Sequence, residues 1–177
     1  GEDIIDIAKE VFKEKGKALL DMDKNEVHSY LKEKGIEIEL NRIKKDLADF
    51  RVIHDVFSSE KVIRGNDSLN KEIDFLSSNT YVSDGAKFLS TTKYLDDKDR
   101  VIRKSDGDYT YFMPDICYHV NKMSRRFDKL IDVLGADHHG YINRMKSALM
   151  MHGYSEDCLD IELIQMVRFI KDGKEFK

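Results

Sequence analysis

The chain has 177 residues, of which 41% are hydrophobic and 36% are charged, and its net charge is −4. This composition supports a packed core under a solvated surface and excludes an intrinsically disordered chain. The negative charge excludes a global basic field that attracts nucleic acid, so RNA contact would need a local patch or a further part of the protein. No apolar run approaches the length of about 20 residues that spans a membrane, and no segment has the pattern of a signal peptide.

The two cysteines, Cys117 and Cys158, show no pairing pattern. We therefore expect a reducing compartment, the cytoplasm. The chain starts at Gly1 instead of a methionine and stops at Lys177 directly after a turn. From these ends we expect a piece of a longer protein, which holds one domain, or one and a half.

The first fifty residues show helical periodicity. Apolar residues recur at helical spacing over residues 4–12, and Gly16 ends this run. Asp23 and the glutamate three residues later form a capping box for a second helix, which we expect to end at Gly35. A third apolar stripe at helical spacing follows over residues 40–47.

Residues 50–57 alternate between polar and apolar side chains, which predicts a strand. A fourth helical stripe lies over residues 69–76. We therefore expect residues 1–80 to form a mainly helical connecting segment with one strand.

A β-hairpin is predicted for residues 81–89, because two short apolar runs flank Ser83-Asp84-Gly85 and the glycine accepts a positive φ. From residue 100 onward, short apolar runs alternate with helical stripes. The predicted strands are 100–104, 109–112, 130–134 and 159–164, and the predicted helices run from Pro114 to about Arg126 and from Ile142 to Gly153. Such alternation predicts a parallel sheet with right-handed crossovers.

These elements place the chain in the α/β class. Residues 81–177 are predicted to contain the hairpin and the second half of a Rossmann-like parallel sheet, with residues 109–170 forming a parallel β-α-β-α-β unit. Ligands of such sheets bind in the crevice outside the carboxyl ends of the strands. Two polar clusters follow predicted strands in this way.

The first cluster contains Tyr111 and Asp115, four residues apart across the start of a predicted helix. A carboxylate at this position is stabilised by the helix dipole, and it can grip a guanidinium through two parallel hydrogen bonds. The structural alternative is that Asp115 caps the helix and Tyr111 fills a gap in the core.

The second cluster, Gly135-Ala136-Asp137-His138-His139-Gly140, also follows a strand and opens a helix. Gly135 lets a ribose or phosphate approach the backbone, and helix amides bind anions. The structural alternative is an ordinary turn capped by Asp137, with two solvated histidines. A metal site is a further alternative, but adjacent residues at a helix start point apart and HExxH-like spacing is absent, so we expect no metal.

Lys122-Met123-Ser124 matches part of a known ATP-binding signature. The match lies in or near a predicted helix, whose basic end complements the helix dipole. We therefore interpret it as a coincidence.

The ordered set of motifs resembles the arginyl-tRNA synthetases, a family of class I aminoacyl-tRNA synthetases. The resemblance covers nearly the whole chain and is most specific from residue 84 onward. The matching motifs are Gly1-Glu2-Asp3-Ile4, Asp84-Gly85-Ala86, Asp97-Lys98-Asp99-Arg100-Val101, Lys104-Ser105-Asp106-Gly107, Tyr111, Asp115-Ile116, Tyr118-His119, Gly135-Ala136-Asp137-His138-His139-Gly140-Tyr141-Ile142, Gln165-Met166-Val167 and Asp172-Gly173.

This resemblance implies an arginine–tRNA ligase, which activates L-arginine with ATP and magnesium and transfers it to tRNA-Arg in the cytoplasm. It implies no membrane and no protein partner. It also implies that Tyr111 and Asp115 recognise the arginine guanidinium, and that His138, where some members have glutamine, lies on the substrate side.

The resemblance further implies an ATP side of the site. Its residues in this chain are Gly135, Asp137, His139, Met166 and Val167.

The family's HIGH motif, which binds the ATP phosphates, and its KMSKS loop are absent, although Lys177 matches the first lysine of that loop. We therefore expect this chain by itself to be inactive and to contain no catalytic residue. Two other hypotheses stay open. One is a stand-alone nucleotide-binding or interaction module that reuses half of a synthetase fold, and the other is a metal hydrolase built on His119, Asp137, His138 and His139.

Overall fold

The structure is a computed structural model that describes residues 1–65 and 67–176. The chain divides into two compact units, Gly1–Phe57 and Ser58–Lys177. The predicted functional division into residues 1–80 and 81–177 stays a prediction. Lys177, the predicted first lysine of a signature loop, lies outside the described residues. None of the helices in the described ranges is both long and apolar enough to cross a membrane.

The first unit contains helix α1 (Glu2–Lys15) and helix α2 (Lys24–Asp49). As predicted, Gly16 ends α1, and it does so with a positive φ of 57°. Asp23 caps α2 as predicted, because its side chain accepts a hydrogen bond from the Asn25 amide at 2.8 Å. This bond satisfies one of the amide groups that every helix start leaves without a partner.

The predicted end of the second helix at Gly35 is wrong, because α2 continues through this residue to Asp49. Lys34 forms ion pairs with Glu14 of α1 at 3.3 Å and with Glu37 of α2 at 3.1 Å. These contacts flank the glycine, which costs a helix interior only about 1 kcal/mol. The third predicted helical stripe is therefore the second half of α2.

The predicted strand over residues 50–57 is also wrong. Phe50 follows the last residue of α2, and Arg51 has a positive φ of 63°. The side chains of Phe50 and Ile53 are 80% and 81% exposed. A strand needs a hydrogen-bonded neighbour, and none of the three sheets in the described residues includes this segment.

The second unit packs helices and strands around one core. Its elements in chain order are α3 (Glu60–Gly65), α4 (Ser68–Phe75), β1 (Thr80–Ser83), β2 (Ala86–Leu89), β3 (Arg100–Arg103), α5 (Phe112–Ser124), β4 (Leu130–Gly135), α6 (Ile142–Met151), β5 (Leu159–Ile164), β6 (Phe169–Lys171) and β7 (Lys174–Phe176). The α/β class predicted from the sequence is confirmed.

The predicted hairpin is confirmed as β1 and β2, which pair antiparallel. Asp84 and Gly85 at its turn have φ values of 50° and 76°, as a two-residue hairpin of the mirror-image type requires. β3 extends this sheet by pairing antiparallel with β2. A second hairpin, β6 with β7, was not predicted.

β4 and β5 form a parallel pair, with Leu130 opposite Leu159 and Gly135 opposite Ile164. α6 connects the two strands and completes a β-α-β unit. The carboxyl ends of both strands therefore lie side by side, followed by the polar turn after Gly135 and by the segment after Ile164.

The predicted third parallel strand over residues 109–112 is wrong. Tyr109 makes only an isolated antiparallel bridge to Arg103, and α5 already begins at Phe112. The Thr110 amide donates to the Ile102 carbonyl at 3.1 Å. These bonds hold the segment against β3, and in the described residues β4 pairs with β5 alone.

The core of the second unit joins α4, the antiparallel sheet, α5, α6 and the parallel pair. Its largest fully buried apolar side chains are Leu76, Leu89, Ile102, Met113, Ile116, Met145, Leu149 and Leu159. A buried hydrogen bond between His152 and Glu72 at 2.5 Å also ties the end of α6 to α4. This core fixes the positions of α5 and α6, which begin at the two polar clusters.

Leu149→Ala should lower the free energy of unfolding by about 2–5 kcal/mol, because it leaves a cavity where a core side chain was. Asn143→Ala on the same helix is the matched control, since Asn143 is exposed, and its effect should stay within about 0.5 kcal/mol. Urea unfolding of the 177-residue chain measures both. Equal effects of the two substitutions would contradict this assignment of the core.

Candidate active site

Asp115 lies in the first turn of α5 with a carboxylate that is more than half buried. Burial raises its pKa, and the negative charge of Glu60 adds to this effect, whereas the nearby Tyr141 hydroxyl and the charge of His119 act in the opposite direction. Within residues 1–65 and 67–176, no lysine or arginine side chain forms an ion pair with Asp115. In the described part of the chain, no lysine or arginine therefore compensates the charge of this carboxylate.

The structural alternative for the first cluster does not hold. No side chain caps α5, so Asp115 is not a helix cap. Tyr111 is 80% exposed and does not fill the core. Its side chain lines an open cavity of about 650 Å³ beside Lys104 and Tyr109, and the Arg64 guanidinium lies 6.0 Å from its ring centroid.

The second cluster forms a 3₁₀ turn between β4 and α6. Asp137 caps neither this turn nor α6, and its side chain is 85% exposed. Gly135 has an ordinary φ of −66°, so the turn does not need its conformational freedom. A Cβ at this position would lie 2.6 Å from Asp137 Oδ1, so the glycine leaves room for that carboxylate.

The two adjacent histidines face different surroundings. The ring of His138 lies edge-on to Tyr141, with 6.3 Å between centroids. His139 lines a separate cavity of about 450 Å³ together with Asp96, Arg100 and Arg144. Of the two histidines, His138 is therefore the one beside Tyr141.

Tyr141 is the residue that joins the two clusters. Its hydroxyl lies close enough to the Asp115 carboxyl group for each to shift the pKa of the other, and its ring lies edge-on to His138. Burial and the charge of Asp115 raise the pKa of Tyr141, so its hydroxyl stays protonated. Asp115 and His138 thus each lie beside Tyr141, while Tyr111 lines a cavity to which neither of them contributes.

A buried polar group that no sequence motif predicts lies beside Asp115. His119 of α5 lies 2.6 Å from Asp132 of β4 through Nε2 and 2.7 Å from the Asp115 carbonyl through Nδ1. Lys122 donates to the other Asp132 oxygen at 2.6 Å. Burial alone would raise the pKa of Asp132, but these two partners hold it below its usual range. Lys122, part of the coincidental signature match, therefore has a structural partner.

Met166 and Val167 lie between β5 and β6 and are 82% and 70% exposed. They follow the carboxyl end of β5, next to the end of β4. Among the residues that the structure describes, no group of three or more histidine, cysteine, aspartate or glutamate side chains is arranged to hold a metal ion. His119, a member of the hypothetical hydrolase site, bonds to Asp132 instead.

A family model described as the catalytic domain of the class I tRNA synthetases for arginine matches residues 6–177. The chain belongs to the class I arginyl-tRNA synthetase family. Family relatives named arginine–tRNA ligase from Anoxybacillus flavithermus and Bacillus subtilis are each 44% identical over the whole chain. The chain spans 32% of the length of each, about a third.

Solved structures of synthetases agree with this family assignment. A Campylobacter jejuni structure named as an arginyl-tRNA synthetase superposes with a TM-score of 0.88 at 38% identity, covering 100% of this chain and 39% of that one. The Thermus thermophilus arginyl-tRNA synthetase superposes with a TM-score of 0.63 over 80% of this chain and 32% of that one. At 17% identity, the second likeness shows the shared fold alone.

Asp115→Asn should raise the free energy of unfolding of this synthetase chain at pH 7. The folded-state pKa of Asp115 is raised, so the ionised carboxylate costs stability at pH values above that pKa. The cost disappears at about pH 3, where the carboxyl is protonated in both the folded and the unfolded state.

Denaturant unfolding at pH 7 and pH 3 measures this effect, and a gain is expected only at pH 7. Asp137→Asn is the control, because its exposed carboxylate should change stability by no more than about 0.5 kcal/mol at either pH. If Asp115→Asn were as stabilising at pH 3 as at pH 7, burial of the charge would not be the cause.

Proposed function

We propose that this chain forms the amino-acid-selecting part of an arginine–tRNA ligase, which activates L-arginine with ATP and transfers it to tRNA-Arg in the cytoplasm. The observation that carries the proposal is Asp115, a largely buried carboxylate with a raised pKa and no lysine or arginine partner in the described part of the chain. A bound guanidinium supplies the missing charge and offsets the desolvation of the carboxylate.

Arginine fits this carboxylate better than lysine does. A guanidinium stays charged at every physiological pH and presents a planar fork of N–H donors that matches two carboxylate oxygens. The Tyr141 hydroxyl lies beside this carboxylate and favours its ionised form. His138 lies beside Tyr141 and offers a polar contact to the rest of the substrate.

Tyr111 contributes the face of its ring to the same substrate. An arginine side chain of the protein, Arg64, lies over this ring, and its Nε donates to Glu60 at 2.6 Å. This contact illustrates that the ring accepts a guanidinium by a cation–π interaction. In the proposal, the exposed Tyr111 side chain turns toward the substrate that Asp115 binds.

The ATP side of the site is proposed at the carboxyl ends of β4 and β5, the usual ligand position in such sheets. Magnesium enters with ATP as part of that substrate. The residues proposed there are Gly135, Asp137, His139, Met166 and Val167.

The 177-residue chain by itself should not exchange pyrophosphate into ATP in the presence of arginine. Adenylation needs positive groups around the leaving pyrophosphate, and the HIGH and KMSKS motifs that supply them in this family are absent from this sequence. The pyrophosphate exchange assay measures this, with the full-length ligase as the positive control. Robust exchange by the isolated chain would contradict the proposal.

In the full-length ligase, Asp115→Ala should raise the KM for arginine roughly 10- to 150-fold, because a hydrogen bond to a charged group contributes about 1.5–3 kcal/mol. The KM for ATP should change little. Asp74→Ala is the control, since Asp74 lies exposed on α4. Pyrophosphate exchange at varied arginine concentrations measures both variants, and unchanged arginine kinetics in Asp115→Ala would refute the site.

A further inference from the structure

The carboxylate of Asp132 is buried in the parallel strand β4, where its side chain is 11% exposed. Its Oδ2 accepts from His119 Nε2 and its Oδ1 accepts from Lys122 Nζ, both at 2.6 Å. A buried charge is tolerated only when it is paired and hydrogen-bonded. Both oxygens of Asp132 therefore have the partners that their burial requires, and both partners come from α5.

His119 is 5% exposed and uses both of its ring nitrogens. Its Nδ1 lies 2.7 Å from the backbone carbonyl oxygen of Asp115. A carbonyl only accepts, so Nδ1 must donate, and the ionised carboxylate of Asp132 also only accepts, so Nε2 must donate as well. In this arrangement the ring carries two protons and connects Asp132 to the backbone of Asp115.

The hydrogen bonds from Asp132 through His119 end at the backbone of Asp115, the residue whose carboxylate is the candidate arginine-binding group. The charge of His119 favours the ionised form of Asp115, and the charge of Asp132 opposes it. Lys122 contacts the same carboxylate of Asp132 but lies seven residues further along α5 than Asp115. Of the two basic partners, His119 is therefore the one that acts on Asp115.

We propose that Asp132 and His119 are positioning residues for arginine recognition: Asp132 orients the His119 ring, and the ring fixes the backbone and the charge environment of Asp115. This inference rests on the proposed function, in which Asp115 binds the substrate guanidinium. Lys122, by contrast, stabilises the buried carboxylate without taking part in recognition.

The test uses the full-length ligase with Asp132→Asn, which keeps the shape of the side chain and removes its charge, and with Lys122→Met as the matched control. Both variants should lower the melting temperature, because each disturbs the same buried group. Asp132→Asn should raise the KM for arginine about tenfold and leave the KM for ATP within about twofold. Lys122→Met should leave both constants within about twofold of the wild type.

A spectroscopic measurement accompanies the kinetics. Imidazole ¹⁵N–¹H spectra should show two slowly exchanging N–H groups for His119 in the wild type and in Lys122→Met, and should lose the Nε2–H signal in Asp132→Asn. If Asp132→Asn does not fold, His119→Gln replaces it. Glutamine reaches the position of Nε2 but cannot donate to the Asp115 carbonyl, so the same rise in arginine KM is expected.

Asp115→Ala in the same enzyme separates two kinds of failure. Unchanged arginine kinetics in Asp115→Ala would refute the proposed site itself. A raised arginine KM in Asp115→Ala with an unchanged one in Asp132→Asn or His119→Gln would overturn the positioning role alone. Equal rises in the KM for arginine and for ATP in Asp132→Asn and Lys122→Met would also overturn it, because the group would then only hold the fold together.

Discussion

The hydrogen bond between the buried Asp132 carboxylate on β4 and His119 on α5 determines where the candidate site lies. Removing one partner of a buried charge pair typically costs about 3–5 kcal/mol, so α5 is strongly held to the position at which both oxygens of Asp132 are satisfied. Apolar contacts are not directional, so they tolerate small shifts of a helix better than the distance- and angle-dependent hydrogen bonds to Asp132 do. The position of Asp115, one helical turn before His119, follows from that constraint.

Two carboxylates thus lie close together in opposite environments. Asp132 is fully paired, and its partners hold its pKa down, whereas Asp115 has no lysine or arginine partner in the described chain, and its pKa is raised. Environments that push the pKa values of neighbouring groups apart are typical of sites that bind or transform a ligand. The paired Asp132 carboxylate stabilises the fold. The ionised Asp115 carboxylate lowers the free energy of unfolding, and a bound cationic ligand offsets that loss.

The parts of the fold that the sequence predicts well are those that depend on local chemistry. The capped start of α2 at Asp23, the hairpin turn at Asp84-Gly85 and the strand–helix–strand unit around α6 all form as expected. The errors at Gly35 and at residues 50–57 arise where tertiary contacts override local signals. The ion pair between Lys34 and Glu14 of α1 supports α2 on both sides of Gly35. The alternating pattern of residues 50–57 forms no strand, because no strand in the described residues pairs with it.

The segment before α5 illustrates the same limit. Its side-chain pattern is that of a strand, but its backbone bonds to β3 and then enters the helix. The spacing of apolar residues predicts which side chains lie on the same face of an element. It does not predict which neighbouring strand forms hydrogen bonds with its backbone.

The sequence predicts those residues of the candidate site that belong to short motifs. The sequence predicts Asp115 and His138 from such motifs, and in the structure each lies beside Tyr141. Asp132 was missed, although it is a carboxylate in an otherwise apolar strand, which is stable only if basic partners lie nearby. His119 and Lys122 are three residues apart and so share one face of the preceding helix. Applied together, these two rules pair Asp132 of the strand with that face of the helix. Asp115, one turn earlier, has no lysine or arginine partner among the described residues.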